Sequence, residues 1–163
     1  MKEFKAPHKP KKDYYVFLAG SIEMGKAENW QKKVTNALTH LDGICLLNPR
    51  RDDWDSSWEQ KIENEKFREQ VEWELDAMEQ ADLIIFYFDP NTISPITLYE
   101  LGLHTKSAFE GKKDLIVYCP DGYFRKGNVD VGCNKYNIQQ VHNLSSFIEL
   151  VEKKFKTFNE KVF

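Results

Sequence analysis

The sequence is short of most of what would mark it as a metalloprotein, a secreted domain or a membrane protein. Its three cysteines, Cys45, Cys119 and Cys133, are an odd number with no CxxC spacing, so neither a disulfide framework nor a thiolate metal site is written in it. The four histidines, His8, His40, His104 and His142, are scattered and none belongs to an HExxH pair. No metal and no cofactor is expected. Glycine is sparse, with 8 residues, and the turn Ala19-Gly-Ser-Ile-Glu-Met-Gly25 is neither GxGxxG nor a Walker loop, which removes support for dinucleotide and triphosphate readings. No apolar run approaches the roughly 20 residues of a spanning helix, and the basic start MKEFKAPHKPKKDYY has no apolar signal core. The expectation is a cytoplasmic protein with no membrane partner. A net charge of -3 gives no broad positive field, so a polynucleotide partner is disfavoured while a mononucleotide is not.

What is present is ordinary globular material. A chain of 163 residues with 41% hydrophobic and 30% charged residues can bury one core unaided. The Lys- and Pro-rich residues 1–13 read as a mobile arm, and residues 14–163 as one domain. Apolar runs at Tyr14 to Ala19, Ile44 to Leu47, Asp82 to Phe88 and Asp114 to Cys119 predict strands. Between them, apolar residues at helical spacing predict helices near Trp30 to Leu41, Glu59 to Gln80 and Pro95 to Glu110, with a last helix around Phe147 to Phe155. Strands apolar on both faces and alternating with helices imply an α/β chain: a Rossmann- or flavodoxin-like three-layer sandwich with a parallel central sheet.

In such sheets ligands bind beyond the carboxyl ends of the strands. The residues delivered there are Gly20 and Ser21, then Asn48, Arg50, Arg51 and Trp54, then Asp89 and Ser94. Gly20 would let backbone approach a ligand and Ser21 offers a hydroxyl. An ordinary tight turn accounts for both equally. Arg50, Arg51 and Trp54 suit a base or phosphate, against surface ion pairing and core packing as the plain alternatives. Ser94 before Pro95 marks a helix start with Ser94 as N-cap. Six residues on, Glu100 is placed inward, on a face with Ile96, Leu103 and Ser107, and His104 stands one turn further. A buried carboxylate is costly unless paired or used, so Glu100 is either a catalytic group or the partner of Arg50 or Arg51. In the preceding helix Glu74 shares a face with Val71, Leu75 and Met78, and is either a second inward acid or one at the edge reaching solvent. Two inward carboxyl groups are what cleavage of a glycosidic bond uses, one attacking the anomeric carbon and one handling protons or sugar hydroxyls.

FLAGSI after the first strand, LNPRR after the second, QVEWELDAMEQADLIIF around the third and SPITLYELG after it resemble, in that order, the motifs of the nucleoside 2-deoxyribosyltransferase superfamily, over roughly Tyr15 to Cys119. The resemblance implies a flavodoxin-like fold, homo-oligomers, no cofactor, a small-molecule nucleoside or nucleotide as substrate, and a covalent sugar intermediate on Glu100. It also implies that Glu74, with Asp76 as second choice, orients the sugar and assists departure of the base. Glu74 stands where the family usually has Asp, and Phe17 where it often has Tyr. Ser94 matches the related deoxynucleoside monophosphate hydrolases, which implies a phosphate near Ser94, Gly20 and Ser21, since an Asp there would repel a phosphate. Two other readings remain open: an NAD-cleaving enzyme of similar plan, and a sensor that binds a nucleotide without turnover.

Overall fold

The computed structural model describes residues 1–6, 14–22, 27–51, 53, 55 and 57–162. Among them run strands β1 (Lys2–Lys5), β2 (Tyr14–Gly20), β3 (Ile44–Asn48), β4 (Leu83–Tyr87), β5 (Asp114–Tyr118) and β6 (Gln139–Val141). The helices are α1 (Trp30–Ala37), α2 (Glu65–Gln80), α3 (Pro95–Phe109), α4 (Lys126–Lys135) and α5 (Leu144–Val162). All strand pairs are parallel, in the order β1-β3-β2-β4-β5-β6. This is the expected α/β sandwich, a flavodoxin-like order with one more strand at the edge.

The extra strand corrects the sequence reading. Lys2 to Lys5 pair in register with Cys45 to Asn48, so the start of the expected mobile arm belongs to the sheet. Its composition hid it, because an edge strand with one face in water tolerates lysine and is even protected by it. The short β6 and helix α4 were also missed. Residues 126–135 (KGNVDVGCNK) carry two glycines and few apolar residues, which weakens the helical signal.

Apolar side chains on both sheet faces make two cores. Phe17, Leu47, Ile84 and Phe86 meet Trp73, Ala77 and Met78 of α2, Leu101 of α3 and Val129 of α4. On the other face, Val16, Leu18, Leu46 and Ile85 meet Trp30 and Val34 of α1 and Phe147, Val151 and Phe155 of α5. Local chemistry fixes the helix ends. Asn29 Oδ1 accepts from the Lys32 N–H at 3.1 Å and Asn64 Oδ1 from the Phe67 N–H at 3.1 Å. At the far end of α2, Lys113 Nζ donates to the carbonyls of Met78, Glu79 and Ala81 at 2.9, 2.8 and 2.6 Å. The end of α2 is thereby fixed to the start of β5.

The order of strand addition reverses between β2 and β4, and at such a switch point the carboxyl ends of the strands open a crevice. Gly20 sits at that point. A Cβ on it would lie 2.6 Å from the Tyr87 carbonyl oxygen and 2.7 Å from the Trp30 ring, so the protein itself fills the space that the sequence reading kept for a ligand. Trp30 in turn stacks on Tyr87 with ring centroids 4.8 Å apart, and Tyr87 on Tyr118 at 4.5 Å. Gly20→Ala should therefore force the Trp30 and Tyr87 stack apart and cost about 1–3 kcal/mol, read as a lower urea midpoint with an unchanged slope.

Candidate active site

Helix α3 begins where β4 ends, and its orientation departs from the expected one. Thr97, Glu100, Leu101 and His104 are buried, while Ile96, Tyr99 and Leu103 are 62%, 56% and 47% exposed. Glu100 thus does not share a face with Ile96 and Leu103. The helix turns polar side chains into the protein and apolar ones outward, the reverse of an ordinary amphipathic helix. A rule that sends apolar residues inward reads such a helix about a third of a turn wrong.

Glu100 is 7% exposed, and among the described residues its carboxyl has no cation and no hydrogen bond. The structural alternative needed Arg50 or Arg51. Arg51 instead forms a two-pronged pair with Asp53 at 2.8 and 2.9 Å, with its guanidinium 5.3 Å from the Trp58 ring centroid. Arg50 Nη1 reaches Gln31 Oε1 at 3.5 Å, and the Arg50 N–H donates to Asn48 Oδ1 at 3.0 Å. The salt-bridge explanation of Glu100 fails. Burial pushes its carboxyl up to about 8, with the negative charge of Glu74 adding to the effect.

Glu74 comes from α2, whose inward face is centred on Gln70, Trp73, Ala77 and Met78. It lies on the flank of that face, half-buried with its carboxyl turned inward. Burial raises it to about 7, and a hydrogen bond of 2.7 Å from Gln70 Nε2 opposes the rise. Asp76, the second choice, is exposed and drops out. The protein therefore brings together two carboxyl groups that titrate as a pair near neutrality. His104, one turn beyond Glu100, is buried, and burial lowers its imidazole below the usual value.

The remaining predicted residues are engaged mostly as framework. Ser21 and Ser94 are 1% and 4% exposed, and their hydroxyls hydrogen-bond each other. Thr92 Oγ1 lies 2.8 Å from Ser21 Oγ and 2.7 Å from Ser94 Oγ, and the Asp89 N–H donates to Ser21 Oγ at 3.0 Å. Ser94, at φ +49°, holds the N-cap position of α3, but its hydroxyl turns to this cluster and not back onto the helix. Three buried hydroxyls thus fasten the turn after β2 to the start of α3. The Asp89 carboxylate accepts from the Asn91 and Glu28 N–H groups at 2.8 and 3.2 Å, which closes the same turn. Asn48 Nδ2 donates to Glu3 Oε1 at 2.7 Å and so braces the edge strand. Trp54 lies outside the described residues.

Sequence reasoning missed Gln70, a fully enclosed amide on α2. Its signal was the i, i+4 step to Glu74. A cleft of about 370 Å³ on another flank of α3, between Leu101 and Gly102 and the α4 residues Val129 and Gly132, holds no carboxylate.

Residues 13–123 match the model of a family described as nucleoside 2-deoxyribosyltransferase like. Among solved structures, that of a conserved protein from Enterococcus faecalis V583 is similar, with a TM-score of 0.61 and 15% identity over 87% of this chain and 99% of that one, a likeness of fold. No curated protein matches the chain.

The buried pair has a consequence for stability. A carboxyl raised from 4.5 to about 8 by folding favours the folded state while protonated, so its contribution is present below about 4.5 and is lost as pH rises towards 8. Glu100→Gln, which keeps the neutral shape, should be more stable than the parent at pH 8 by on the order of 1–3 kcal/mol and little different at pH 5. Urea unfolding at the two pH values measures it.

Proposed function

Because the chain belongs to the nucleoside 2-deoxyribosyltransferase-like family, we propose that it cleaves the N-glycosidic bond of a deoxynucleoside or its 5'-monophosphate through a covalent sugar intermediate on Glu100. The observation that carries this reading is the carboxyl of Glu100, buried beside Glu74 with no cation among the described residues to account for it. Function is the remaining explanation for so costly a group.

In the proposed reaction a carboxylate oxygen of Glu100 attacks C1' of the sugar. The bond from C1' to the base nitrogen breaks, and the base takes its electron pair and a proton relayed by Glu74. An acceptor then attacks C1' and releases the Glu100 carboxylate. Water as acceptor gives hydrolysis, and a second base gives transfer. Burial raises both acids, so the pair shares one proton at neutral pH; it rests on Glu100, the weaker acid, and passes to Glu74 as the attacking Glu100 carboxylate is formed. In this reading Glu74 also orients the sugar hydroxyls. Ser94 at the N-cap of α3, where a carboxylate would repel a phosphate, supports a substrate with a 5'-phosphate. The outward stripe of Ile96, Tyr99 and Leu103 on the helix that bears Glu100 supports self-association beside the site. The cytoplasm remains the proposed location.

Replacing Glu100 by Gln should lower kcat by on the order of a thousandfold or more while the fold persists. With the parent protein, a slowly turned over 2'-fluoro arabinosyl nucleoside should leave its sugar on Glu100, located by mass spectrometry of peptides; an adduct on Glu74 would reverse the two roles. A panel of nucleosides, deoxynucleoside monophosphates and NAD, with and without free bases, tests the substrate. The monophosphate should exceed its nucleoside in kcat/KM by roughly ten- to a hundredfold, and release of nicotinamide alone would overturn the reading. The dependence of kcat/KM on pH should be a narrow bell between about 7 and about 8, because below it the pair holds two protons and above it none.

A further inference from the structure

We infer that Gln70 is a positioning residue for the acid pair: its carboxamide pins Oε1 of Glu74, so that the shared proton and the contact with substrate both fall to Oε2. This rests on the proposed reaction for its meaning, but its geometry stands apart from it. Gln70 is 4% exposed, and its Nε2 has two neighbours, the Pro49 carbonyl at 2.9 Å and Glu74 Oε1 at 2.7 Å. Both neighbours lack a proton of their own when Glu74 is ionised, so both require a donor. An amide nitrogen has two N–H groups and can serve them together. The reversed amide would set its oxygen against the Pro49 carbonyl, so the orientation is fixed by chemistry.

The consequence for Glu74 is directional. With Oε1 accepting from Gln70, a proton on that oxygen would displace the N–H, so the proton is carried on Oε2. The Pro49 carbonyl belongs to the turn that follows β3 and leads to Arg50 and Arg51. One side chain thus sets the direction of the carboxyl and ties it to the loop at the strand tips. Among the described residues the Gln70 Oε1 is buried without a hydrogen bond, a cost accepted at a site where the other end of the amide is used twice.

No cation competes for this role among the described residues. From α2, Glu69 lies 3.9 Å from Arg51 and Glu72 3.9 Å from Arg68. From α3, Glu100 opposes Glu74, and burial lowers the proton affinity of His104. From the loop, Arg50 and Arg51 are engaged by Gln31 and Asp53. Gln70 is therefore the one group that favours the ionised form of Glu74.

The test is Gln70→Met, which keeps length and apolar bulk but removes both N–H groups. Carboxyl carbon NMR of the parent and variant should show the first ionisation of the pair moved up by about one pH unit, and the acidic limb of kcat/KM should move with it. The kcat should fall roughly ten- to a hundredfold with little change in KM. If the variant does not fold, the parent alone decides: the Gln70 side-chain amide resonances should titrate with the first ionisation of the pair, and should cease to do so in Glu74→Gln. An amide that does not respond to pH in the parent, or a variant that loses stability with its ionisation and acidic limb unmoved, would overturn the inference. The NMR titration needs no turnover, so its failure is distinct from failure of the proposed activity.

Discussion

A carboxyl group taken out of water pulls against folding, and in this protein the Glu100 carboxyl does so from the middle of a helix, with no cation beside it among the described residues. The cost is carried by what holds α3 in place. Leu101 of the same helix packs into the core shared with α2 and the sheet, and the buried hydroxyls of Ser21, Thr92 and Ser94 fix the first turn of α3 to the strand tips. Those anchors leave Glu100 no route to solvent by rotation of the helix. Its proton affinity rises because burial withholds water from the charged form, with the negative charge of Glu74 adding to the effect.

The same constraint explains why Glu74 is needed. Two acids brought together share protons, and the more easily ionised one is selected by the nearest donor. That donor is the amide of Gln70, itself held by the Pro49 carbonyl. The sheet brings α2 and α3 to one face, the turn after β3 fixes the amide, and the amide discriminates between two otherwise similar carboxyl groups. The proposed chemistry rests on family membership and on this geometry together.

Several residues that motif position assigned to a ligand are used by the fold instead. Gly20 makes room for Trp30 and Tyr87, Asn48 braces the edge strand through Glu3, and Asp89 closes its own turn. A polar residue at the carboxyl end of a strand lies near the site by topology. Whether it faces the crevice or the neighbouring turn depends on partners far away in the chain, which here are 45 residues distant for Asn48 and 61 for Asp89 with Glu28.

The sequence by itself determined the parallel α/β architecture, because continuous runs such as LIIFY and LIVY are apolar on both faces and only a sheet covered on both sides accepts them. It also located Glu100 and Glu74, as acids set within helices that pack on that sheet. It did not reveal β1, whose lysines are permitted by an edge position that exists only once β3 is in place. Nor did it show which way α3 faces, since its apolar stripe points outward and the inward polar face is imposed by anchors at its start and flank. The choice between a salt bridge and a free acid for Glu100 was likewise left to tertiary structure, because Arg51 could have turned to either Asp53 or Glu100. A local two-pronged pair two residues away closes at small entropic cost, and it engages Arg51 with Asp53 rather than with the buried acid.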